Sequence, residues 1–208
     1  MTQSMRVGSG TGVRVYLIRH GQTAWSLSGQ HTGRSDIPLT EHGEEEARGL
    51  ERWLRPIQFT HILTSPRQRA QRTCALAGLD ALAEVEPDLA EWDYGEYEGL
   101  GSVDIRKDRP GWNVFRDGCP GGEMPADITV RADRVISRLE TMSGGVALFS
   151  HGQFGMALAA RWIGLRVLQG QHFTLSTASV SVLGRHPTRP DVRVIEFWNA
   201  TPGSLGAS

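Results

Sequence analysis

Short apolar runs occur at five places along the chain and predict the strands of a buried sheet. Residues 13–18 (VRVYLI) and 146–149 (VALF) are the clearest runs, and residues 61–64, 179–183 and 192–197 are further candidates. Continuous apolar runs of this length are typical of strands that are covered on both faces. We therefore expect these segments to form the centre of the molecule.

Between these runs, apolar residues recur every three or four positions and predict four helices. Thr40 is the expected N-cap of the first helix, and Ser65, followed by Pro66, is the expected N-cap of the second, which Gly78 ends. The apolar faces of the four helices are formed by Ala47, Leu50 and Leu54; by Ala70, Cys74 and Ala77; by Ile128, Ala132, Val135, Ile136 and Leu139; and by residues within 154–162.

The alternation of strands and helices predicts an α/β fold, a three-layer α/β/α sandwich with a mainly parallel central sheet. We expect a single domain over residues 13–199, between flexible ends at residues 1–12 and 200–208. Residues 101–125 are rich in glycine, proline and charge. We interpret them as a covering loop segment that is too polar for the core.

Composition and charge exclude several classes of function. The 208 residues include 22 Lys and Arg against 23 Asp and Glu, a net charge of −1, so bulk charge cannot hold a nucleic acid. No segment has the roughly 20 apolar residues of a membrane span, and residues 1–12 lack the apolar run of a signal peptide. Cys74 and Cys119 have no paired spacing, which favours reduced thiols and a cytoplasmic location. The sequence does not decide between a monomer and a homodimer.

Two of the predicted strands end in the same dipeptide. The run VYLI continues as RHG at residues 19–21, and VALF continues as SHG at residues 150–152. Ligands of open α/β sheets bind beyond the carboxyl ends of the strands. If the two strands are neighbours, His20 and His151 meet there, and the glycine after each lets a ligand approach the backbone. One such histidine alone would favour a structural role, whereas the matched pair favours a functional site.

Three arginines, at positions 67, 69 and 72, lie in the first turns of the predicted second helix. Positive charge there opposes the helix dipole and costs about 0.3–1 kcal/mol per residue at a surface. A bound anion removes this conflict, because helix N-termini and guanidinium groups both bind phosphate oxygens. We therefore expect Arg19 and Arg69 to flank one phosphoryl group.

The segment EWDYGEYEG at residues 91–99 combines four carboxylates with three aromatic residues. We expect most of these carboxylates to be solvated or structural. One of them beside a dianionic phosphate can stay protonated near neutral pH, as a general acid for a departing alkoxide must. The histidines show no zinc-binding spacing, and the chain has neither a P-loop nor a G-x-S-x-G motif, so we expect no metal and no cofactor.

Four motifs occur in an order and spacing that span residues 14 to about 165: RHGQT at 19–23, SPRQRAQRT at 65–73, Glu91 within LAEWDYGEYEG, and FSHG at 149–152. Together they resemble the histidine phosphatase superfamily, in its phosphoglycerate-mutase-like branch. The stretches WSLSGQHTGRSDIPLTEHG and WNVFRDGCPGGE resemble a narrower group, the small acid or sugar-phosphate phosphatases that include sedoheptulose-bisphosphatase-like enzymes. The resemblance implies a phosphomonoesterase that acts through a phosphohistidine.

The resemblance also implies roles for individual residues. His20 is the expected nucleophile, Glu91 the expected proton donor, and the phosphoryl oxygens are expected to be bound by Arg19, Arg69 and a charged His151. The expected substrate contacts are Gln22, Ser26, Thr32, Gly33 and Tyr94, with Ser26 standing where many mutases carry asparagine. From their composition, Trp112, Phe115 and Arg116 are further candidates to line a sugar-phosphate pocket, and Gly152 to let the ligand approach.

Hydrolysis of small phosphorylated metabolites, either sugar or three-carbon phosphates, is the function that we favour. A cofactor-dependent phosphoglycerate mutase is the first alternative. It must clamp a second acid group, for which Arg106, Lys107, Arg109 and Arg116 are available, but the chain lacks the longer insertions associated with dedicated mutases. A non-catalytic phosphate-binding module is the second alternative. Glu91 argues against it, because binding alone needs no proton donor.

Overall fold

The computed structural model describes residues 12–201, and a sheet runs through the centre of this part. Its strands are β1 (Val13–Arg19), β2 (Phe59–Thr64), β3 (Ala83–Val85), β4 (Gly144–Ser150), β5 (Val180–His186) and β6 (Arg189–Ala200). The five predicted strands are confirmed. Most of the predicted flexible ends, 1–12 and 200–208, lies outside the described residues. Of the three positions that are described, 12, 200 and 201, residue 200 belongs to β6.

The sheet is mainly parallel, as predicted. Its six strands lie in the order β3-β2-β4-β1-β5-β6. The pairs β2–β3, β2–β4 and β1–β4 are parallel, whereas β5 is antiparallel to both β1 and β6. Strand β3 is a short edge strand that the sequence analysis missed, because its three residues, AEV, are largely exposed and form no apolar run.

Helices cover both faces of the sheet, which confirms the three-layer sandwich. They are α1 (Ala24–Ser28), α2 (Glu41–Gly49), α3 (Glu51–Leu54), α4 (Gln68–Leu76), α5 (Ser102–Asp108), α6 (Val114–Asp117), α7 (Pro125–Glu140) and α8 (Gly152–Trp162). Side chains alternate along β1, so that Tyr16 and Ile18 pack with the core beneath α2–α4, and Val15 and Leu17 pack with the core beneath α5–α8. Within residues 12–201, no helix is long and apolar enough to cross a bilayer.

The helix predicted after Thr40 is confirmed as the consecutive helices α2 and α3. The Thr40 side chain accepts a hydrogen bond from the Gly43 N–H at 3.0 Å, as an N-cap does. The predicted N-cap of the second helix is wrong: α4 begins at Gln68, with Arg67 in the N-cap position. Residues 65–67 extend beyond the end of β2 before the helix starts, which places Ser65 beneath the site described below.

The segment 101–125 is not the polar surface loop that its composition predicts. It contains the helices α5 and α6, and Ile105, Trp112, Phe115 and Cys119 within it are at most 6% exposed. The indole N–H of Trp112 donates to the Gly118 carbonyl at 2.9 Å, which satisfies its one buried polar group. The apolar residues are few and separated by charged ones, but they point inward, so the average composition conceals a part of the core.

Candidate active site

The two histidines predicted to meet do so at the carboxyl ends of β1 and β4. These strands are parallel neighbours, with Arg19 aligned to Ser150, so His20 and His151 follow at the same level. Their ring centroids are 5.1 Å apart. The backbone N–H of His20 donates to the Ser150 carbonyl at 3.0 Å and extends the pairing beyond the strands. The two strand patterns that end in His-Gly therefore predicted correctly that these histidines meet.

The His20 ring is held in one tautomer. Its Nδ1 lies 2.7 Å from the Gly21 carbonyl oxygen, and because a carbonyl only accepts, Nδ1 carries the proton and Nε2 keeps its lone pair. Burial lowers the pKa of His20 well below its usual value, and the charges of Arg69 and Arg19 lower it further. The ring is therefore neutral at pH 7, as a nucleophilic imidazole must be.

His151 lies between a cation and a hydroxyl group. Its Nδ1 accepts from Arg69 Nε at 3.2 Å, so the proton is on Nε2, which donates to Ser65 Oγ at 2.7 Å. Burial lowers the pKa of His151 well below its usual value, and the charge of Arg69 lowers it further. His151, expected to be an imidazolium, is thus a neutral ring in this structure, because it is desolvated beside cations. A bound phosphate dianion would raise its pKa instead.

Arg69 is the one arginine of the predicted cluster that faces the site. It is fully buried, and its terminal nitrogens donate to the carbonyl oxygens of Ser35 and Thr32, each at 2.9 Å. Arg72 instead points outward and pairs with Glu44 at 2.9 Å. Arg67, in the N-cap position of α4, has a buried Nε without a hydrogen-bond partner among residues 12–201. The three arginines therefore point in different directions, and Arg69 is the one that contacts His151.

Arg19 has an unsatisfied donor at the site. One terminal nitrogen donates to the Leu175 carbonyl, but its Nε is buried without a hydrogen-bond partner among residues 12–201. A buried guanidinium N–H without an acceptor is costly, and such a group requires an explanation. An anionic oxygen at this point would satisfy the donor through a charge-assisted hydrogen bond.

Backbone N–H groups hold the carboxyl group of Glu91. One oxygen accepts from Trp92 N at 2.9 Å and Phe154 N at 2.8 Å, and the other accepts from Gln153 N at 3.0 Å. The last two donors belong to the first turn of α8, whose unpaired N–H groups and dipole favour a carboxylate. Glu91 is therefore fixed in position at the edge of the cavity that His20 lines.

Three of these groups, Arg19, His20 and Glu91, line a cavity of about 200 Å³, whereas Arg69 and His151 are not among its lining residues. It is lined by Arg19, His20, Thr23, Ser26, Gly29, Gln30, His31, Thr32, Glu91, Tyr94, Ser102 and Gln153. Six of these were predicted. Of the others, His31 directly precedes the predicted Thr32 in the chain, and Gln153 directly follows the SHG motif at 150–152; this adjacency was the available signal. Ser102 had none.

Tyr94 and Ser26 lie in the cavity wall, but each is already engaged. Burial raises the pKa of Tyr94 well above its usual value, and its ring stacks on His31 with centroids 4.5 Å apart. The Ser26 hydroxyl donates to the Thr23 carbonyl at 3.0 Å within a capping box at the start of α1. In this structure Tyr94 is therefore a neutral phenol, and the Ser26 hydroxyl serves the helix cap.

One predicted glycine is required by packing. A Cβ on Gly33 would lie 2.4 Å from the Trp92 carbonyl oxygen, whereas a Cβ on Gly152 would be in ordinary contact with Cζ of Arg19, at 3.4 Å. Gly21 likewise packs on the protein, since a Cβ there would lie 2.3 Å from the Gly43 carbonyl oxygen. Because glycine has no Cβ, neighbouring segments of the protein come together around the histidines at these positions.

Two further predicted substrate contacts do not line the cavity. The Gln22 side chain accepts from the Thr40 hydroxyl at 3.0 Å and so ties the loop after β1 to α2. Arg116 is exposed on α6, where it pairs with Asp117 at 2.8 Å and also donates to the Gly111 carbonyl. The helix orients Phe115 inward and Arg116 outward, which is why neighbours in sequence separate here.

The residues that the structure describes contain no group of three or more His, Cys, Asp or Glu side chains arranged to hold a metal ion. Cys74 and Cys119 are both buried free thiols, and burial raises the pKa of each to about 12.

Glu98 orders the loop that orients Arg69. Its Oε1 accepts from Gly33 N and Ser35 N, both at 2.9 Å, and the same loop supplies the carbonyl groups that bind Arg69. We expect Glu98→Ala to lower kcat/KM for a phosphate ester by about 10²-fold, because small displacements of a site group are costly. Glu98→Gln, which keeps one acceptor oxygen, should lose much less. Equal losses in both variants, or a similar loss in the exposed Glu96→Gln control, would contradict this positioning role.

His31 should make stability depend on pH. Burial lowers the pKa of His31 to about 4, so the unfolded chain takes up this proton first and stability falls as the pH drops below 6.5. Between pH 7 and pH 5 the loss from this group is roughly 2 kcal/mol. Urea unfolding at both pH values should show a smaller loss for His31→Gln than for wild type. The exposed His42→Gln variant should behave as wild type, and identical losses in all three proteins would refute the assignment.

Comparisons with known proteins agree on one family. The histidine phosphatase superfamily (branch 1) matches residues 15–199. The chain is 42% identical over 175 residues to an acid phosphatase of Mycobacterium tuberculosis (strain ATCC 25618 / H37Rv), covering 82% of this chain and 86% of that protein. It is 37% identical over 188 residues to the sedoheptulose 1,7-bisphosphatase of Saccharomyces cerevisiae (strain ATCC 204508 / S288c), covering 74% and 69%.

A solved structure supports the fold comparison. The structure of an open reading frame from Mycobacterium tuberculosis superposes with a TM-score of 0.85 at 39% sequence identity, covering 91% of this chain and 98% of that chain. A phosphoglycerate mutase-like protein of Enterobacter sp. (strain 638) is more distant, at 30% identity over 181 residues, covering 81% of this chain and 83% of that protein.

Proposed function

The chain belongs to the histidine phosphatase superfamily, and on this premise we propose that it hydrolyses phosphate monoesters of small metabolites through a phosphohistidine on His20. The enzyme class is that of the phosphoric monoester hydrolases, which fits relatives named as an acid phosphatase and a sugar bisphosphatase. Sugar phosphates are the substrate class that these names support. The proposed partners are therefore small phosphate esters, and the cytoplasmic location remains a prediction.

In the first step, Nε2 of His20 attacks phosphorus in line with the departing oxygen. The P–N bond forms, the ester P–O bond breaks, and Glu91 gives its proton to the leaving alkoxide. Charge in the transition state accumulates on the three equatorial oxygens. Arg19 and Arg69 are the cations that stabilise this charge. His151 joins them when its Nε2 N–H turns from Ser65 Oγ to a phosphoryl oxygen, or when the bound dianion raises its pKa and it takes up a proton.

In the second step, water attacks the phosphohistidine. Glu91, now a carboxylate, removes a proton from the water, the new P–O bond forms, and the P–N bond breaks. His20 recovers its lone pair on Nε2, while the proton on Nδ1 stays on that nitrogen throughout, donated to the Gly21 carbonyl. Glu91 therefore returns to its protonated form, and inorganic phosphate leaves.

One observation carries this proposal. A neutral, tautomerically fixed imidazole with its lone pair on Nε2 lines the same cavity as Arg19, whose buried Nε has no acceptor among residues 12–201. A nucleophile and an unsatisfied cation together suit an electrophile that is also an anion, which a phosphate ester is. A site that only binds phosphate needs neither the unprotonated nitrogen nor the carboxyl group of Glu91.

Initial rates of phosphate release from a panel of small phosphate esters test the proposal. We expect release from several sugar and three-carbon phosphates without added divalent metal. A mutase would instead transfer the phosphoryl group between two positions of phosphoglycerate with little net release, and a binding module would bind the esters without turnover. Activity confined to phosphoproteins, or activity that depends on an added metal, would contradict the proposal.

A further inference from the structure

The backbone that carries Glu91 is held by a single arginine outside the cavity. Arg131, on α7, uses one terminal nitrogen to donate to the carbonyl oxygens of Asp88 and Ala90, at 2.9 and 2.6 Å. Its other terminal nitrogen lies 3.3 Å from the Glu91 carbonyl oxygen. Three of the four carbonyl groups of residues 88–91 therefore accept from one guanidinium, which restricts the conformation of this segment.

Arg131 also contacts the helix that supplies hydrogen-bond donors to Glu91. Its Cζ lies 4.2 Å from the centroid of the Phe154 ring, within the range of a cation–π contact. The backbone N–H of Phe154 in turn donates to a carboxyl oxygen of Glu91 at 2.8 Å. One guanidinium thus touches both the segment that carries the carboxyl group and the first turn of α8 that binds it.

Glu123 holds Arg131 in this place. Its Oε1 accepts from Nε of Arg131 at 2.9 Å, and its Oε2 accepts from a terminal nitrogen at 2.8 Å, so the pair is bidentate. The same Oε2 accepts from the Asp93 N–H at 2.9 Å, and the Glu123 carbonyl accepts from the Trp92 indole N–H at 2.9 Å. The pair is therefore tied to the residues on both sides of Glu91 in the chain.

Stability alone does not account for this ion pair. The side chain of Arg131 is 9% exposed and that of Glu123 is 22% exposed, so water competes little for their hydrogen bonds. An ion pair in such a place stabilises a fold no better than apolar residues of similar volume. What the pair provides here is five directed hydrogen bonds from Arg131 at fixed points around the general acid. A general acid depends on such precision, because it must lie within hydrogen-bond reach of the departing oxygen.

Arg134 provides a contrast on the same helix. It lies one turn after Arg131, and its Nε and one terminal nitrogen donate to the Asp88 carboxylate at 2.8 and 2.7 Å. Its side chain is 56% exposed, and within residues 12–201 both of its hydrogen bonds end on that carboxylate. Arg134 is thus a bidentate arginine of α7 that pairs with the same segment without reaching Glu91.

We propose that Arg131 and Glu123 are positioning residues for the general acid, and that their ion pair fixes the carboxyl group of Glu91 where it protonates the departing oxygen. The inference rests on the proposed function and adds two residues to it. Neither residue lines the cavity, so both act through Glu91. A displaced Glu91 slows the first step for an alkyl ester, whose leaving group needs the proton, and much less for p-nitrophenyl phosphate.

The ratio of kcat/KM for an alkyl ester to kcat/KM for p-nitrophenyl phosphate tests this role. The alkyl ester is fructose 6-phosphate or glycerol 3-phosphate, whichever wild type hydrolyses faster. Arg131→Lys keeps the charge but has a single donor nitrogen, and we expect it to lower the ratio at least tenfold, since a displacement of about 1 Å costs up to about 10²-fold. Its kcat/KM for p-nitrophenyl phosphate should stay within about threefold of wild type.

Glu123→Gln, which removes one acceptor oxygen at nearly constant shape, should lower the same ratio. In the double variant the ratio should fall no further than in the more affected single variant, because the two residues act as a unit. Both substrates are assayed on one sample, so the ratio does not depend on the fraction of folded protein. If Arg131→Lys does not fold, as urea unfolding would show, Glu123→Gln decides the test.

Arg134→Lys is the matched control, because it makes the same change one turn away on α7, and its ratio should stay within about twofold of wild type. A ratio that is unchanged in Arg131→Lys and Glu123→Gln, with or without an equal loss for both esters, would overturn the inference. So would the same fall in Arg134→Lys. Either result leaves the proposed function intact, whereas no phosphate release by wild type from any of the three compounds would overturn the proposed function and this inference with it.

Discussion

His20→Ala should lose phosphate release almost completely, by about 10⁴-fold or more in kcat, as the removal of a catalytic nucleophile does in other enzymes. The loss follows from the geometry: Nε2 of His20 is the atom with a free lone pair, fixed by the 2.7 Å contact of Nδ1 with the Gly21 carbonyl oxygen. The rate is measured as phosphate released from the best ester of the panel. Binding of that ester should persist in the variant, because Arg19 and Arg69 remain.

The matched control for this variant is His186→Ala. In the antiparallel pairing of β5 with β1, Val180 lies opposite Ile18 near the site, so His186 is at the far end of β5. The control should retain activity within about twofold, since surface substitutions far from a site have small effects. Turnover by His20→Ala within about tenfold of wild type would eliminate His20 as the nucleophile.

Glu91→Gln should lower kcat by about 10²–10⁴-fold for alkyl phosphate esters, the usual contribution of a general acid or base. The amide has nearly the shape of the carboxyl group, and it keeps an oxygen for the Trp92 and Phe154 N–H groups. It cannot donate a proton to the leaving alkoxide. The first step should therefore be affected much less for p-nitrophenyl phosphate, whose leaving group needs little protonation.

The contrast between these two substrates separates proton donation from structural damage. A burst of p-nitrophenol before a slow steady state is expected in Glu91→Gln, because the amide also fails as the base that activates water in the second step. The exposed Glu96→Gln serves as the control and should resemble wild type. Equal losses for alkyl and nitrophenyl esters in the first step would contradict the role of Glu91 as the general acid.

The centre of the site was predictable because it follows from strand order and direction. Two apolar runs that end in His-Gly place their histidines together whenever the strands are parallel neighbours. Strands β1 and β4 are such neighbours. The sequence motifs added Arg69 and Glu91, which lie far apart along the chain. Their partners, such as the Thr32 carbonyl, could not be predicted, because backbone acceptors leave no trace in residue type.

The incorrect expectations share a physical origin, since they depend on side-chain direction and on tertiary packing. Arg116 and Phe115 are adjacent in sequence, but α6 turns one outward and the other into the core. Gly33 is required by its contact with the Trp92 carbonyl, which composition does not reveal. The neutral state of His151 likewise depends on burial beside cations and not on residue type.

Trapping the phosphoryl group on the enzyme shows which residue accepts it. Glu91→Gln is mixed with p-nitrophenyl phosphate, quenched in alkali, in which phosphohistidine is stable, and digested for peptide mass spectrometry; the double variant with His20→Ala is treated in parallel. We predict one acid-labile phosphoryl group on His20 in the first protein and none in the second. A phosphoryl group on another residue, or none in Glu91→Gln despite a burst of p-nitrophenol, would contradict the account.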